Sequence, residues 1–285
     1  MKNIRIIPRL DIKGPNLVKG IHLEGLRVLG EPSQFAKYYY EQGADEIIYQ
    51  DTVASLYERN SLTNIINKTA KEIFIPLTVG GGIRTMGDIQ DVLRAGADKV
   101  SINTAAVKDP SFINEASSFY GASTIVIAIE CLKKKDGKYY VFTDNGREET
   151  YKEVIAWAKE VEDRGAGEIF LTSIDREGTG NGFDINLIKE VSSKSSLPVV
   201  AHGGPSQYSH VTSVISEGKA DAVSLASMLH YKLASEFKFD QSSNEGNLAF
   251  LKSQKNYKNF ETDSLNQIKS KLYDDGFKVR PYKIK

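Results

Sequence analysis

The chain has 285 residues, of which 40% are hydrophobic and 26% charged, which is enough to form one large buried core. Its 37 Lys and Arg residues balance its 37 Asp and Glu residues, which excludes the diffuse positive field on which binding to nucleic acids or membrane surfaces relies. We therefore expect no nucleic-acid or membrane partner, and any anionic ligand must be held by a local site.

The chain begins with a short apolar run that lacks the long apolar stretch of a signal peptide, and no later stretch approaches the length of a membrane span. A single cysteine, Cys131, cannot form an internal disulfide. No spacing of Cys and His residues is typical of a zinc site. We expect a cytoplasmic protein without a metal or a cofactor.

Short runs rich in β-branched residues alternate with segments of helical periodicity, a pattern that predicts βα units and a parallel sheet. The predicted strands are, in chain order, Ile4–Leu10, Glu46–Asp51, Ile73–Val79, Lys99–Ile102, Thr124–Glu130, Glu168–Thr172, Pro198–His202 and Ala222–Leu225. Predicted helices between them include Ser33–Gln42, Met86–Ala95, Ser111–Phe119, Tyr151–Arg164 and Tyr208–Glu217.

Eight such units in about 230 residues fit a closed barrel, for which roughly 250 residues are typical. The glycine-rich turns follow the third and seventh strands, whereas a dinucleotide-binding fold carries its glycines after the first. We predict an α/β protein with a single (β/α)₈ TIM barrel over residues 1–236. Residues 237–285, a polar stretch followed by the amphipathic segment Leu265–Tyr273, are predicted to form a C-terminal extension packed on or beside the barrel.

The two halves of the predicted barrel repeat each other. The turn Gly80–Gly82 after the third strand resembles Gly203–Gly204 after the seventh, and Ser101–Ala105 after the fourth resembles Ser224–Met228 after the eighth. Backbone N–H groups in such turns can bind an oxyanion. A tight turn alone would also require glycine, but two turns related by symmetry favour a ligand with a phosphate at each end.

Two acidic residues occupy matching positions in the half-barrels. Asp11 ends the first strand and Glu130 the fifth, at the face where barrel enzymes have their active sites. Two such carboxylates can serve as general acid and general base when their surroundings separate their pKa values. A single strand-end acid often only caps a loop, but the repetition favours catalysis. Lys19 lies in a long polar first loop, Asp11 to Gly30, which we expect to move.

Charged residues also mark the opposite face, at or near the amino ends of strands one, two, four and six. They are Arg5, Glu46, Lys99 and Glu168. Four alternating charges around one opening can satisfy each other as a salt-bridged ring, and this face of a barrel usually serves stability. The residues alone thus predict a structural charged ring.

Several motifs resemble the cyclase subunit, HisF, of imidazole glycerol phosphate synthase, over about residues 1–235. They are Arg5–Lys13, Leu17–Gly20, Thr78–Ile83, Ala97–Ala106, Arg164–Glu168 and Leu171–Asp175. The run Lys99–Ala106 is specific, because the sister isomerase of histidine biosynthesis shares the glycines and paired acids but not this run.

The resemblance implies a lyase within a glutamine amidotransferase complex of histidine biosynthesis. Ammonia from a HisH-like glutaminase at the amino-terminal face would pass the charged ring and the barrel core. At the top it would react with a bis-phosphorylated aminoimidazole carboxamide ribonucleotide, giving imidazole glycerol phosphate and an aminoimidazole carboxamide ribotide. All four ring positions match the family, so the resemblance changes the interpretation of the ring to an ammonia gate.

The same resemblance implies the remaining site residues. The catalytic acids fall on Asp11 and Glu130, and the lysine of the mobile loop on Lys19. The implied substrate-binding and phosphate-binding positions are Asp51, Gly81, Gly82, Asn103, Thr104, Glu177, Gly178, His202, Gly203, Gly204, Ala226 and Ser227.

Departures from the family lie at the top of the barrel. Glutamate replaces aspartate at positions 130 and 177, valine replaces threonine at 53, and histidine replaces serine at 202. Lengthening a carboxylate by one methylene shifts it by ~1 Å, which can cost about 10²-fold in rate. Arg9 shares a strand face with Asp11, so it points into the barrel and needs an anionic partner.

The charged ring matches the family, whereas the residues at the top of the barrel differ from it. This contrast leaves two other hypotheses for the function. A diverged paralogue would deliver ammonia for converting acetamido to acetamidino groups on cell-surface or lipopolysaccharide sugars. A non-catalytic scaffold would only activate the glutaminase, which would account for the change at Glu130. Asp11 and the paired phosphate turns favour cyclase chemistry, because neither a conduit nor a scaffold requires them.

Overall fold

The computed structural model describes residues 3–54, 62–236, 260 and 263–281. The strands of this part are β1 (Arg5–Lys13), β2 (Asn16–Ile21), β3 (Glu24–Gly30), β4 (Ile47–Asp51), β5 (Leu77–Gly80), β6 (Lys99–Ile102), β7 (Ile125–Lys133), β8 (Tyr139–Thr143), β9 (Glu148–Glu153), β10 (Glu168–Ser173), β11 (Val199–His202) and β12 (Ala222–Leu225). The helices are α1 (Pro32–Glu41), α2 (Thr63–Ala70), α3 (Met86–Arg94), α4 (Thr104–Lys108), α5 (Ser111–Tyr120), α6 (Val154–Asp163), α7 (Ile185–Lys194), α8 (Tyr208–Ser216), α9 (Ser227–Glu236) and α10 (Leu265–Asp274).

Eight parallel strands close into a barrel in the order β1, β4, β5, β6, β7, β10, β11, β12. β12 pairs with β1, and β7 pairs with β10, so the ring has no open edge. The predicted (β/α)₈ barrel is therefore confirmed. The predicted strand Ile73–Val79 begins only at Leu77, because Pro76 lacks the N–H group that a central strand needs.

Two antiparallel hairpins, absent from the sequence prediction, extend the barrel at its carboxyl face. β2 and β3 follow β1, and β8 and β9 follow β7. Asp11 pairs with Val18 in the first hairpin, and Glu130 pairs with Phe142 in the second. The hairpins thus occupy matching places in the two half-barrels. Most of the predicted first loop from Asp11 to Gly30 consists of paired strands, and its movement stays a prediction.

The barrel has separate outer and inner cores. Its outer face packs with the helices in one large apolar cluster. Inward-facing side chains form a second, smaller cluster that we call the apolar layer, and its members are Ile7, Ile48, Val126, Ala128, Phe170, Val200 and Ala222. Because strand residues alternate between faces, residues two positions before and after these also point into the lumen.

Helix α10 packs on the barrel between α1 and α8. Its buried residues Leu265, Ile268 and Leu272 belong to the outer core. Lys269 Nζ donates a 2.8 Å hydrogen bond to the carbonyl of Gly43, just after α1. Tyr208, the first residue of α8, donates to Asp275 just after α10 at 2.7 Å.

The predicted extension also includes residues 237–259, 261, 262 and 282–285, which lie outside the described residues. The boundary after residue 236 therefore stays a prediction. Across the described ranges, no helix is both long and apolar enough to cross a membrane.

Candidate active site

The charged ring lies at the amino ends of the barrel strands. Arg5 Nη1 lies 3.0 Å from Glu46 Oε2, and Arg5 also pairs with Glu168. Lys99 Nζ lies 2.9 Å from Glu46 Oε2 and 3.3 Å from Glu168 Oε2. The structure thus brings all four predicted residues together, with two cations alternating with two carboxylates.

The apolar layer lies directly inside the charged ring. Ile7 follows Arg5 by two residues on β1, Ile48 follows Glu46, and Phe170 follows Glu168, so each apolar side chain lies one step further into the lumen. A passage through this layer would favour a small uncharged molecule over an ion, because an ion would lose its hydration there.

Asp11 follows Ile7 of this layer by four residues on β1. Its side chain is buried between two cations. Arg9 Nε donates to its Oδ1 at 2.7 Å, and Lys19 Nζ lies 3.7 Å from its Oδ2. Burial alone would raise the pKa of Asp11, but the charges of Arg9 and Lys19 outweigh it and lower the pKa below its ordinary value. Asp11 is therefore ionised at neutral pH.

Glu130 is buried on β7, on the opposite side of the barrel mouth. It accepts a 3.2 Å hydrogen bond from Asn103 Nδ2. Burial raises the pKa of Glu130 to about 7, although the charge of Arg9 opposes the shift. Two carboxylates at one barrel mouth therefore have pKa values shifted in opposite directions, an arrangement typical of an acid–base pair.

Lys19 is not a solvated loop lysine. It is buried in the first hairpin, where its Nζ pairs with Glu177 and donates to the carbonyl of Gly20 at 3.0 Å. Glu177 Oε2 also accepts from the backbone N–H of Leu23 at 3.1 Å. Lys19 and Glu177, both predicted to bind substrate, therefore hold the first hairpin against the barrel mouth.

The first predicted anion site is a cavity of about 380 Å³ at the ends of β4 to β7. The predicted residues that line it are Asp51, Gly81, Gly82, Asn103, Thr104 and Glu130. Gly81 has a φ of +98°, and a Cβ there would collide with the backbone oxygen of Asp51. Arg84 and Lys108, which the sequence analysis missed, supply positive charge to the same cavity.

The cavity also receives Asp144 and Asn145 from the second hairpin. Asp144 N donates to Thr104 Oγ1 at 3.1 Å. The alternating pattern of β8 and β9 could have predicted the hairpin that carries these residues. Both strands lie in the connection between β7 and α6, where a helix was predicted to begin at Tyr151. That helix begins only at Val154.

The second predicted anion site lies at the ends of β11 and β12. Gly203 and Gly204 follow β11, while Ala226 and Ser227 follow β12. Gly204 has a φ of +104°, and a Cβ there would collide with the backbone oxygen of Gly182. Gly178 lies under the first hairpin, since a Cβ on it would lie 2.8 Å from the carbonyl oxygen of Gly20.

His202 does not join these turns. It is buried on β11, two residues after Val200 of the apolar layer, and its ring stacks on Phe170 with centroids 5.4 Å apart. Its side chain therefore points into the lumen, beside the inward-facing Arg9, whose Cζ lies 5.5 Å from the same Phe170 ring.

Comparison with known proteins shows the family of the chain. Residues 5–235 match the family described as "Histidine biosynthesis protein". A relative from Legionella pneumophila named "Imidazole glycerol phosphate synthase subunit HisF" is 57% identical over 204 residues, which cover 72% of this chain and 96% of the relative. Relatives of the same name from Methanococcus vannielii and Alkaliphilus metalliredigens are 46% and 44% identical, over 80% and 85% of this chain and 91% and 96% of their own length.

The family match begins at Arg5 and extends past Ser227, so it includes both anion sites, the acid pair and the charged ring. The chain therefore belongs to the histidine biosynthesis protein family, and within it to the HisF group of imidazole glycerol phosphate synthase subunits.

Proposed function

We propose that the protein is the cyclase subunit of an imidazole glycerol phosphate synthase, an enzyme that adds ammonia to a bis-phosphorylated aminoimidazole carboxamide ribonucleotide. The observation that carries this proposal is the pair Asp11 and Glu130, buried on opposite sides of the mouth with pKa values shifted in opposite directions. Addition of ammonia, cleavage and ring closure all require a proton to be removed at one place and delivered at another.

The two carboxylates divide these roles. Asp11, held ionised by Arg9 and Lys19, is the general base. Glu130, whose pKa burial raises to about 7, can hold a proton near neutral pH and is the general acid. Because Glu130 holds its proton only below its pKa, we expect the reaction rate to fall as the pH rises through about 7.

The two glycine turns position the substrate between these groups. The cavity at Gly81 and Gly82 would hold one phosphate with the help of Arg84 and Lys108. The turn at Gly203 and Gly204 would hold the other. A ligand bridging the two sites spans the mouth and passes between Asp11 and Glu130, which lie on opposite barrel strands.

Ammonia would reach the mouth from below. We infer that a HisH-like glutaminase docks at the amino-terminal face and releases ammonia at the charged ring. The ring is a seal of alternating charges around the lumen entrance, and the apolar layer beyond it excludes water and ions. Both features suit the transfer of neutral ammonia, which would be protonated to ammonium if it escaped into water.

The proposal is tested by the pH dependence of kcat in matched variants, measured with neutral ammonia saturating at every pH. Replacing the acid with Glu130→Gln should lower kcat by about 10²-fold to 10⁴-fold and remove the fall in rate near pH 7. Glu130→Asp keeps a carboxyl group and should retain a fall in rate at high pH. A profile for Glu130→Gln that matches the unsubstituted enzyme would contradict the assignment.

The other two hypotheses gain nothing from the comparisons, since each relative described above carries the synthase name. A glutaminase-activating scaffold would not depend on Asp11. Unchanged complex activity with Asp11→Asn would favour that scaffold over the enzyme.

A further inference from the structure

The lumen contains a polar layer, between the apolar layer and the mouth, with hydrogen-bonding atoms that the acid–base pair leaves unused. Arg9 is 1% exposed and extends from β1. Its Nη1 lies 3.5 Å from Thr172 Oγ1 on β10, and its Cζ lies 5.5 Å from the centre of the Phe170 ring. The side chain therefore crosses the lumen above the apolar layer, on the route from the charged ring to Asp11.

One end of this guanidinium is not engaged. Arg9 Nε is bonded to Asp11, but Nη2 is buried and has no hydrogen-bond partner among the described residues. Buried polar groups in proteins almost always have a partner, and a charged donor is the most costly to leave without one. Arg9 thus directs a strong donor into the lumen, toward a ligand with a lone pair.

His202 supplies the complementary acceptor. Its Nδ1 lies 3.2 Å from the backbone carbonyl of Ser224, which can only accept, so Nδ1 carries the proton. Burial, assisted by the charge of Arg9, holds the pKa of His202 well below its ordinary value. The ring is therefore neutral, and Nε2, which is buried and unpaired within the described part of the chain, presents a lone pair.

Two serine hydroxyls on other strands also point into the lumen. Ser101 lies two residues after Lys99 of the charged ring, and Ser224 lies two residues after Ala222 of the apolar layer, so both point inward. Both Oγ atoms are buried without a hydrogen-bond partner in the ranges that the structure describes. They can accept further N–H groups from a small ligand.

The Arg9 guanidinium and the His202 ring both lie against the ring of Phe170. A donor and an acceptor on one aromatic ring favour a small neutral ligand that can form both kinds of hydrogen bond. Ammonia has one lone pair that can accept from Arg9 Nη2 and N–H groups that can donate to His202 Nε2. Ammonium has no lone pair, and the guanidinium charge of Arg9 repels it in a buried site.

We propose that Arg9 and His202 form a binding site for neutral ammonia inside the barrel, one layer below the acid–base pair. This inference rests on the proposed ammonia-using function and adds to it a specific stopping place on the route. Arg9 also pairs with Asp11, so the ammonia would be held next to the general base while it is still uncharged.

Binding can be measured on the purified full-length chain without any turnover. The protein has four histidines, whose ring nitrogens can be followed by ¹⁵N NMR at alkaline pH during a titration with ammonium chloride. The His202 signals are assigned by their loss in His202→Phe. We expect the Nε2 signal of His202 to shift with ammonium chloride and to stay in place with potassium chloride, whose cation resembles ammonium in size and charge.

The absence of a shift, or an equal shift with both salts, would overturn the proposal and indicate a site that takes only water or a cation. Because no substrate is present, this result is independent of whether the chain converts the ribonucleotide. The proposed function fails if the unsubstituted protein shows no conversion, and the ammonia site fails if the NMR signal does not respond.

Kinetics provide a second test. His202→Phe keeps an aromatic ring against Phe170 but removes the lone pair, so the KM for ammonia should rise by about tenfold, the effect of losing one hydrogen bond. The kcat and the KM for the ribonucleotide should stay within about twofold. The control is Ser173→Ala, which removes a buried hydroxyl that is also unpaired in the described structure but faces away from the lumen. A selective rise in the KM for the ribonucleotide in His202→Phe would overturn the proposal.

Discussion

Glu130→Gln should make the protein more stable at alkaline pH while it inactivates the enzyme. A pKa raised from 4.5 to about 7 means that ionising Glu130 in the folded protein costs about 3 kcal/mol more than in the unfolded chain. The folded state then binds the proton more tightly. The stability associated with the protonated carboxyl is complete below pH 4.5 and is lost as the pH rises through about 7.

Glutamine has nearly the same shape and cannot ionise, so Glu130→Gln removes this loss. The gain in unfolding free energy should reach about 3 kcal/mol at pH 8 and stay under about 1 kcal/mol at pH 5. Urea unfolding at the two pH values measures the difference from the shift in midpoint. The exposed residue Glu115 provides the control Glu115→Gln, for which we expect a change within about 0.5 kcal/mol at both pH values.

An equal effect of Glu130→Gln at pH 5 and pH 8 would refute the reasoning. So would a loss of stability at pH 8. Either result would mean that the Glu130 carboxyl is not desolvated in the folded barrel, and the assignment of Glu130 as a general acid would lose its physical basis.

Three further variants test other parts of the site. Asp11→Asn leaves the buried Arg9 without a carboxylate, so the free energy of unfolding measured with urea should fall by about 3 kcal/mol. A fall of less than about 1 kcal/mol would contradict the buried ion pair. Lys99→Ala should reduce glutamine-dependent turnover of the complex more than turnover with ammonium salt. Lys138 is exposed, and the control Lys138→Ala should change neither rate. Equal losses in the two assays of Lys99→Ala would count against a gate. Gly81→Ala should raise the KM for the ribonucleotide by about tenfold or more, because a Cβ at φ +98° collides with neighbouring backbone, and an unchanged KM would remove the first turn from the phosphate site.

The parts of the structure that follow from strand alternation could be predicted from the sequence. Arg5, Arg9 and Asp11 are separated by even intervals on β1 and all point into the lumen. The charged ring was predicted for a related reason, since its members lie at or near the amino ends of four barrel strands and must meet at one face.

The position of Lys19 could not be predicted in this way. Its partner Glu177 lies 158 residues away in the sequence, and only the folded first hairpin brings the two together. Residues 11–30 contain glycines and polar side chains that are typical of a loop, whereas the pairing of β2 with β1 and β3 depends on the barrel as a template.

The direction of His202 was within reach of the sequence. Alternation from Val200 predicts an inward-facing ring, and the structure shows that orientation. The family resemblance places His202 among the substrate-binding and phosphate-binding positions, and that role stays a prediction.

The central claim is tested most directly by incubating the purified barrel alone with the bis-phosphorylated aminoimidazole carboxamide ribonucleotide and excess ammonium salt near pH 7, where the proposed acid Glu130 still holds its proton in part of the molecules. We predict release of imidazole glycerol phosphate and the aminoimidazole carboxamide ribotide in equal amounts, and loss of both products with Asp11→Asn. No conversion by a folded barrel that still binds a HisH-like glutaminase would contradict the cyclase assignment and direct the search to another acceptor of ammonia.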